Sequence, residues 1–162
     1  MNMWFLVALV ASLAGTALHF LYDVLPSPLT ALIAPVNESV WEHLKLLFWP
    51  TVVGAAVLAG RRRNKQRHWS SFFVALLGAP AFLLLCFYGL KAFGIESVAL
   101  DIILYYISMA FGFTLAFFLY KKSRAEHYGG FALMLVILYG ACLILFTFAA
   151  PDLPIFREMS MN

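Results

Sequence analysis

Charge is what this sequence has least of. Only 12% of its 162 residues are charged and 64% are hydrophobic, where a soluble domain carries roughly 25% charged residues. So little polar side chain cannot cover a globular core, which excludes a soluble domain and a disordered chain. A net charge of +3 gives no phosphate-binding footprint, so no nucleic-acid partner is expected. Two cysteines are too few for a disulfide framework. Cys86 and Cys142 fall within apolar runs and read as packing thiols. There is no low-complexity tract and no clear internal repeat, which disfavours an inverted-repeat transporter.

What the sequence does have is long apolar runs. A membrane-spanning helix needs about 20 mostly apolar residues. Five runs qualify, at about 3–22, 40–60, 70–90, 98–120 and 130–149. Only Met1 and Asn2 precede the first run, so it lacks the basic lead of a secretory signal and reads as an uncleaved helix. Between the first and second runs, residues 24–36 are apolar but carry Pro26, Pro28 and Pro35. That stretch is too short and too broken to span, and predicts an interfacial or re-entrant segment. The expected fold is all-α: one integral membrane domain, a polytopic bundle of about five helices.

Lys and Arg in short loops set the orientation. The loop after the second run holds Arg61, Arg62, Arg63, Lys65 and Arg67, and the loop after the fourth holds Lys121, Lys122 and Arg124. With five spans both loops lie on one side, so that side is predicted cytoplasmic, with the N-terminus inside and the C-terminus outside. The expected location is the cytoplasmic membrane. The expected partners are the bilayer itself and anionic headgroups at Arg61, Arg62, Arg63, Lys121 and Lys122. The sequence names no protein partner. Seven acidic residues fall outside: Asp23, Glu38, Glu42, Glu96, Asp101, Asp152 and Glu158. That skew is no part of the topology rule and needs its own explanation.

The informative stretch is 35–45, Pro-Val-Asn-Glu-Ser-Val-Trp-Glu-His-Leu-Lys. Asn37 is a good N-cap residue, which would place Glu38 in the first helical turn, where the dipole favours an anion. Glu38 and Glu42 are then four apart and share a face, while His43 turns about 100° from Glu42. The charge-free part of this run, 46–60, is only about 22 Å long at 1.5 Å per residue, short of the roughly 30 Å hydrocarbon core. The turn carrying Glu42, His43 and Lys45 is therefore drawn to the membrane boundary. There it must face the bundle or a wet cavity, because a lipid-facing charge costs at least ~2.5–3.5 kcal/mol. His19 and Tyr22 end the first run, and Asp101 and Tyr105 open the fourth, at the same leaflet.

The expectation is thus a polar pocket on the outer side, formed by His19, Tyr22, Asn37, Glu38, Glu42, His43, Asp101 and Tyr105. It would bind a small cation, metal or polar solute. His19, Glu38, Glu42 and Asp101 are the expected ligands of a divalent metal, the cofactor such donors suit. Two other readings stay open: an enzyme on a lipid or lipid-linked substrate with Glu42 or His43 as base, and a non-catalytic accessory subunit. No catalytic residue is identified.

The run 34–45 resembles the signature of a family of small bacterial multi-pass membrane proteins of unknown function. His19-Phe20-Leu21-Tyr22, Asp101-Ile102 and Phe146-Thr147-Phe148 with Pro151 also look like that family. The resemblance covers most of the chain and implies a multi-pass membrane fold. It brings no established activity and no residue roles.

Overall fold

In hydrocarbon a backbone has no water to bond, so each apolar run must satisfy its own N–H and C=O groups as helix. The computed structural model describes residues 3–158, and the side chains of all of these but 123–125. It is an all-α bundle. The first run forms α1 (Met3–His19) and a short α2 (Leu21–Val24). The Pro-broken stretch forms α3 (Pro28–Ala31). Then come α4 (Val40–Ala59), α5 (Lys65–Ala92) and α6 (Val98–Lys121). A 3-10 turn, Ser123–Tyr128, leads to α7 (Gly129–Phe148), and a second, Pro154–Phe156, lies in the tail. Among the described residues there is no strand, only an isolated antiparallel bridge between Ser39 and Glu158.

Four helices, α4 to α7, are long and apolar enough to cross a membrane. α1 has 17 residues, about 26 Å at 1.5 Å each, which is somewhat shorter. α4 is the axis: 67% of its apolar window is buried, against 17% for the window that holds α7. Leu44, Leu47, Ala55 and Leu58 seat it against its neighbours. Pro50 lies inside α4 and has no N–H to give the Leu46 carbonyl one turn earlier. Gly15 of α1 packs on that carbonyl: a Cβ there would stand 2.7 Å from Leu46 O.

α5 begins at Lys65, well before position 70, because the basic loop is tied down. Asn64 caps the helix by accepting from Arg67 N at 2.9 Å. Asn64 Nδ2 and Arg67 Nε both donate to Glu126 Oε1, at 2.8 and 2.7 Å. At this same end the Arg62 guanidinium stands over the Trp4 and Tyr120 rings, 4.8 and 5.3 Å from their centroids. His68 is buried among Trp4, Phe72 and Tyr120, with Nε2 2.8 Å from the Ala55 carbonyl.

The Pro-broken segment is no free loop. Ser27 and Thr30 form a capping box that starts α3, satisfying donors an isolated turn would leave orphaned. Trp49 Nε1 donates to Leu32 O at 3.0 Å, and Ala34 is fully buried. The segment therefore lies along the first three turns of α4, at the end of the bundle opposite the basic loops.

Candidate functional site

Five helix ends meet at that end: the C-termini of α1, α5 and α7 and the starts of α4 and α6. The start of α4 is where local chemistry decides most. Ser39, not Asn37, is its N-cap, and its side chain accepts from Glu42 N at 3.3 Å. Asn37 instead closes an Asx turn, its Oδ1 accepting from Ser39 N at 3.0 Å. This corrects the helical register read from the sequence. Glu38 precedes the helix, so it does not share a face with Glu42. The two carboxylates go to different places.

Glu42 goes inward. Its side chain is 3% exposed and that of Lys45 is fully buried, with Lys45 Nζ 2.7 Å from Glu42 Oε2. All three Lys45 protons are used, and both Glu42 oxygens accept. Val36 N donates to Glu42 Oε2 at 3.0 Å, and the Thr147 hydroxyl to Oε1 at 3.0 Å. Lys45 Nζ also donates to Ala31 O at 2.8 Å and Ala34 O at 3.4 Å. A buried ion pair persists only when its leftover hydrogen-bonding capacity is met, and here it clamps the Pro-broken segment and α7 to α4. Glu42 was expected among the metal ligands. Its oxygens are committed to this clamp, so it stands outside the cluster that forms.

That cluster is His19, Glu38 and His43. One ligand atom from each lies within 4.8 Å of the others. His43 Nε2 is 3.4 Å from Glu38 Oε2, and His19 Nε2 is 3.9 Å from Glu38 Oε1. The two imidazoles lie side by side, with centroids 5.1 Å apart. His43 Nδ1 is 2.8 Å from the Ser39 carbonyl. A carbonyl can only accept, so Nδ1 carries the proton, and in the neutral ring the Nε2 lone pair faces Glu38. This is how metal-binding histidines are held in tautomer and orientation by an outer partner. Bonds of 2.0–2.2 Å at tetrahedral angles put ligand atoms about 3.4 Å apart. The His43–Glu38 pair has that spacing already, and the His19–Glu38 pair, at 3.9 Å, is about half an ångström wider.

Asp101 lies with all three on the wall of one cavity. Tyr105 also lines it, but its hydroxyl donates to Ser12 O at 2.8 Å and braces α6 on α1. Tyr22 and Asn37 do not line it. The membership of His43 was signalled by its place four residues after Ser39, where a ring nitrogen reaches the carbonyl of the preceding turn.

No curated protein and no solved structure matches this chain. A family of unknown function (DUF6512) matches it over residues 1–162, and the chain belongs to that family.

Proposed function

We propose that this chain is an integral membrane protein that binds one divalent transition metal through His19, Glu38 and His43, with a position left open for a further ligand. The observation that carries the reading is the convergence of three donors: His43 Nδ1 is held 2.8 Å from Ser39 O, its Nε2 is turned to the Glu38 carboxylate at 3.4 Å, and His19 Nε2 stands 3.9 Å from the other carboxylate oxygen. A proton on Nε2 would satisfy the His43–Glu38 pair alone, whereas a metal ion would draw on all three groups. Imidazole with carboxylate suits zinc and its neighbours more than calcium or magnesium. Three protein ligands with a free position is the pattern of metal sites that receive something else. Asp101, on the same cavity wall, offers a further carboxylate. By the Lys and Arg distribution the site faces outward, and Arg61, Arg62, Arg63, Lys121 and Lys122 meet anionic headgroups at the far end.

The test is zinc uptake. Chelator-stripped protein in detergent micelles should take up one zinc per chain. His43→Ala should weaken binding by more than the roughly 10–100-fold that loss of an outer partner costs. Glu38→Gln and His19→Ala should do the same, and Glu42→Gln should retain zinc in whatever fraction stays folded. No uptake by the folded wild type, or uptake unchanged in His19→Ala/His43→Ala, would overturn the reading.

A further inference from the structure

The cavity beside the cluster is far larger than an ion needs. Its volume is about 360 Å³, more than ten times the ~30 Å³ of one water in the liquid and inside the ~300–1,000 Å³ range of small-molecule sites. It runs from Lys91 down to Leu83 along α5 and from Val98 to Tyr106 along α6. Eight residues at 1.5 Å each make that about 12 Å of depth. The polar groups sit at one end, where His19, Glu38, His43 and Asp101 meet. The deeper wall is hydrocarbon, with Leu46, Leu47, Leu83 and Leu104. The mouth carries both kinds of surface: Phe20, Val98 and Ile102, all on the lining, are each more than half exposed, and the exposed Lys91–Glu96 ion pair stands beside them. In a bundle whose outer surface meets lipid, a rim of exposed apolar side chains beside an ion pair suits the boundary between acyl chains and headgroups. An apolar slot reached from the bilayer and capped by a metal-ligand cluster matches an amphiphile in both parts.

We propose that the cavity takes an acyl chain whose terminal carboxyl or carbonyl oxygen occupies the open metal position. Charge limits the head. A divalent ion with neutral imidazoles and the Glu38 carboxylate leaves one positive charge, and Asp101 on the same wall balances it. Lys91 and Glu96, also on the wall, pair with each other at 3.7 Å and cancel. A neutral carbonyl therefore fits the sum, a single carboxylate exceeds it by one negative charge, and a dianionic phosphate monoester by two. The chain's place rests on the cavity alone, while the head's contact rests on the metal reading above.

The probe is a palmitic acid carrying a mid-chain diazirine, photolysed with zinc-loaded protein in phosphatidylcholine nanodiscs. Crosslinks should map to the segments around Leu83 and Leu104. Palmitic acid and its methyl ester should compete, and the ranking of the two tells free acid from acyl ester. Hexadecane should compete several-fold less well. Leu83→Trp and Leu104→Trp fill the slot, and either, with zinc retained, should lose most of the labelling. His43→Ala should lose zinc and the advantage of palmitic acid over hexadecane together. Labelling spread evenly over the outer helix faces, or unaffected by both filling variants, would overturn the slot while the zinc result stood. Slot labelling with the same competition by palmitic acid and hexadecane, in protein that holds zinc, would overturn the coordinated head. In protein that takes up no zinc, the metal reading itself would have failed.

Discussion

Lys45→Met should cost about 3–5 kcal/mol of stability, the penalty for leaving one member of a buried ion pair alone. The methionine fills much the same volume, but three donors vanish. Glu42 keeps only Val36 N and Thr147 as partners, and the carbonyls of Ala31 and Ala34 lose theirs. Glu42→Gln should cost less, since an amide oxygen in the place of Oε2 still accepts from Lys45 Nζ and Val36 N, though the ammonium then has no counter-charge. The double variant Glu42→Met/Lys45→Met should lie above Lys45→Met alone, because removing both charges removes the desolvation cost that either alone retains. Thermal unfolding in detergent orders the four proteins. Limited proteolysis locates the damage, which should appear first in residues 24–37, since that segment hangs on the ammonium. Equal unfolding midpoints for wild type and Lys45→Met would show that the pair clamps nothing.

This clamp marks the boundary of what the sequence disclosed. The helices were legible because each contains a long apolar run, and Pro26, Pro28 and Pro35 announced the broken segment between the first two. The polar end of the bundle was legible as a place: His19, Glu38 and His43, with Asp101 on the same cavity wall, belong to the expected set. Their grouping was not. Counting by fours from Asn37 assumed helix through Glu38, and one residue outside the helix obeys no 3.6-residue period. The sequence did hold the correcting signal. Ser39-Val40-Trp41-Glu42 has the S-x-x-E form of a capping box, and Ser39 is indeed the cap. Only half of that box is built, because Glu42 turns its carboxylate to Lys45 and Val36 instead. That choice depends on where the Pro-broken segment folds back, a tertiary contact that no local pattern encodes. The cavity was equally hidden, since it is space left between α1, α4, α5 and α6 and has no motif of its own.

Gly15→Ala should be the most damaging single methyl in the protein, and it should reach the metal. The new Cβ would meet the Tyr105 hydroxyl and stand 2.7 Å from Leu46 O. Tyr105 can swing away only by giving up its bond to Ser12 O. Leu46 O is backbone in the most buried helix, so α1 itself must lift from α4. Overpacking of this kind costs about 1–3 kcal/mol, with loss of the Tyr105 bond in addition. His19 lies four residues beyond Gly15, one turn along the same stripe. The lift therefore carries its imidazole away from Glu38, and zinc affinity should fall together with the unfolding midpoint. Gly89→Ala is the control, since nothing lies within 4 Å of a Cβ there. The usual preference of helices for Ala over Gly, about 1 kcal/mol, should leave that variant as stable as wild type or more so. Gly15→Ala/Tyr105→Phe divides the effect: removing the hydroxyl relieves one contact and leaves Leu46 O. Partial recovery of stability without recovery of zinc would assign the remaining displacement of α1 to the carbonyl that Pro50 cannot bond. If Gly15→Ala unfolds and binds zinc as the wild type does, α1 does not rest on α4 at this glycine, and the convergence of His19 with Glu38 and His43 loses its support.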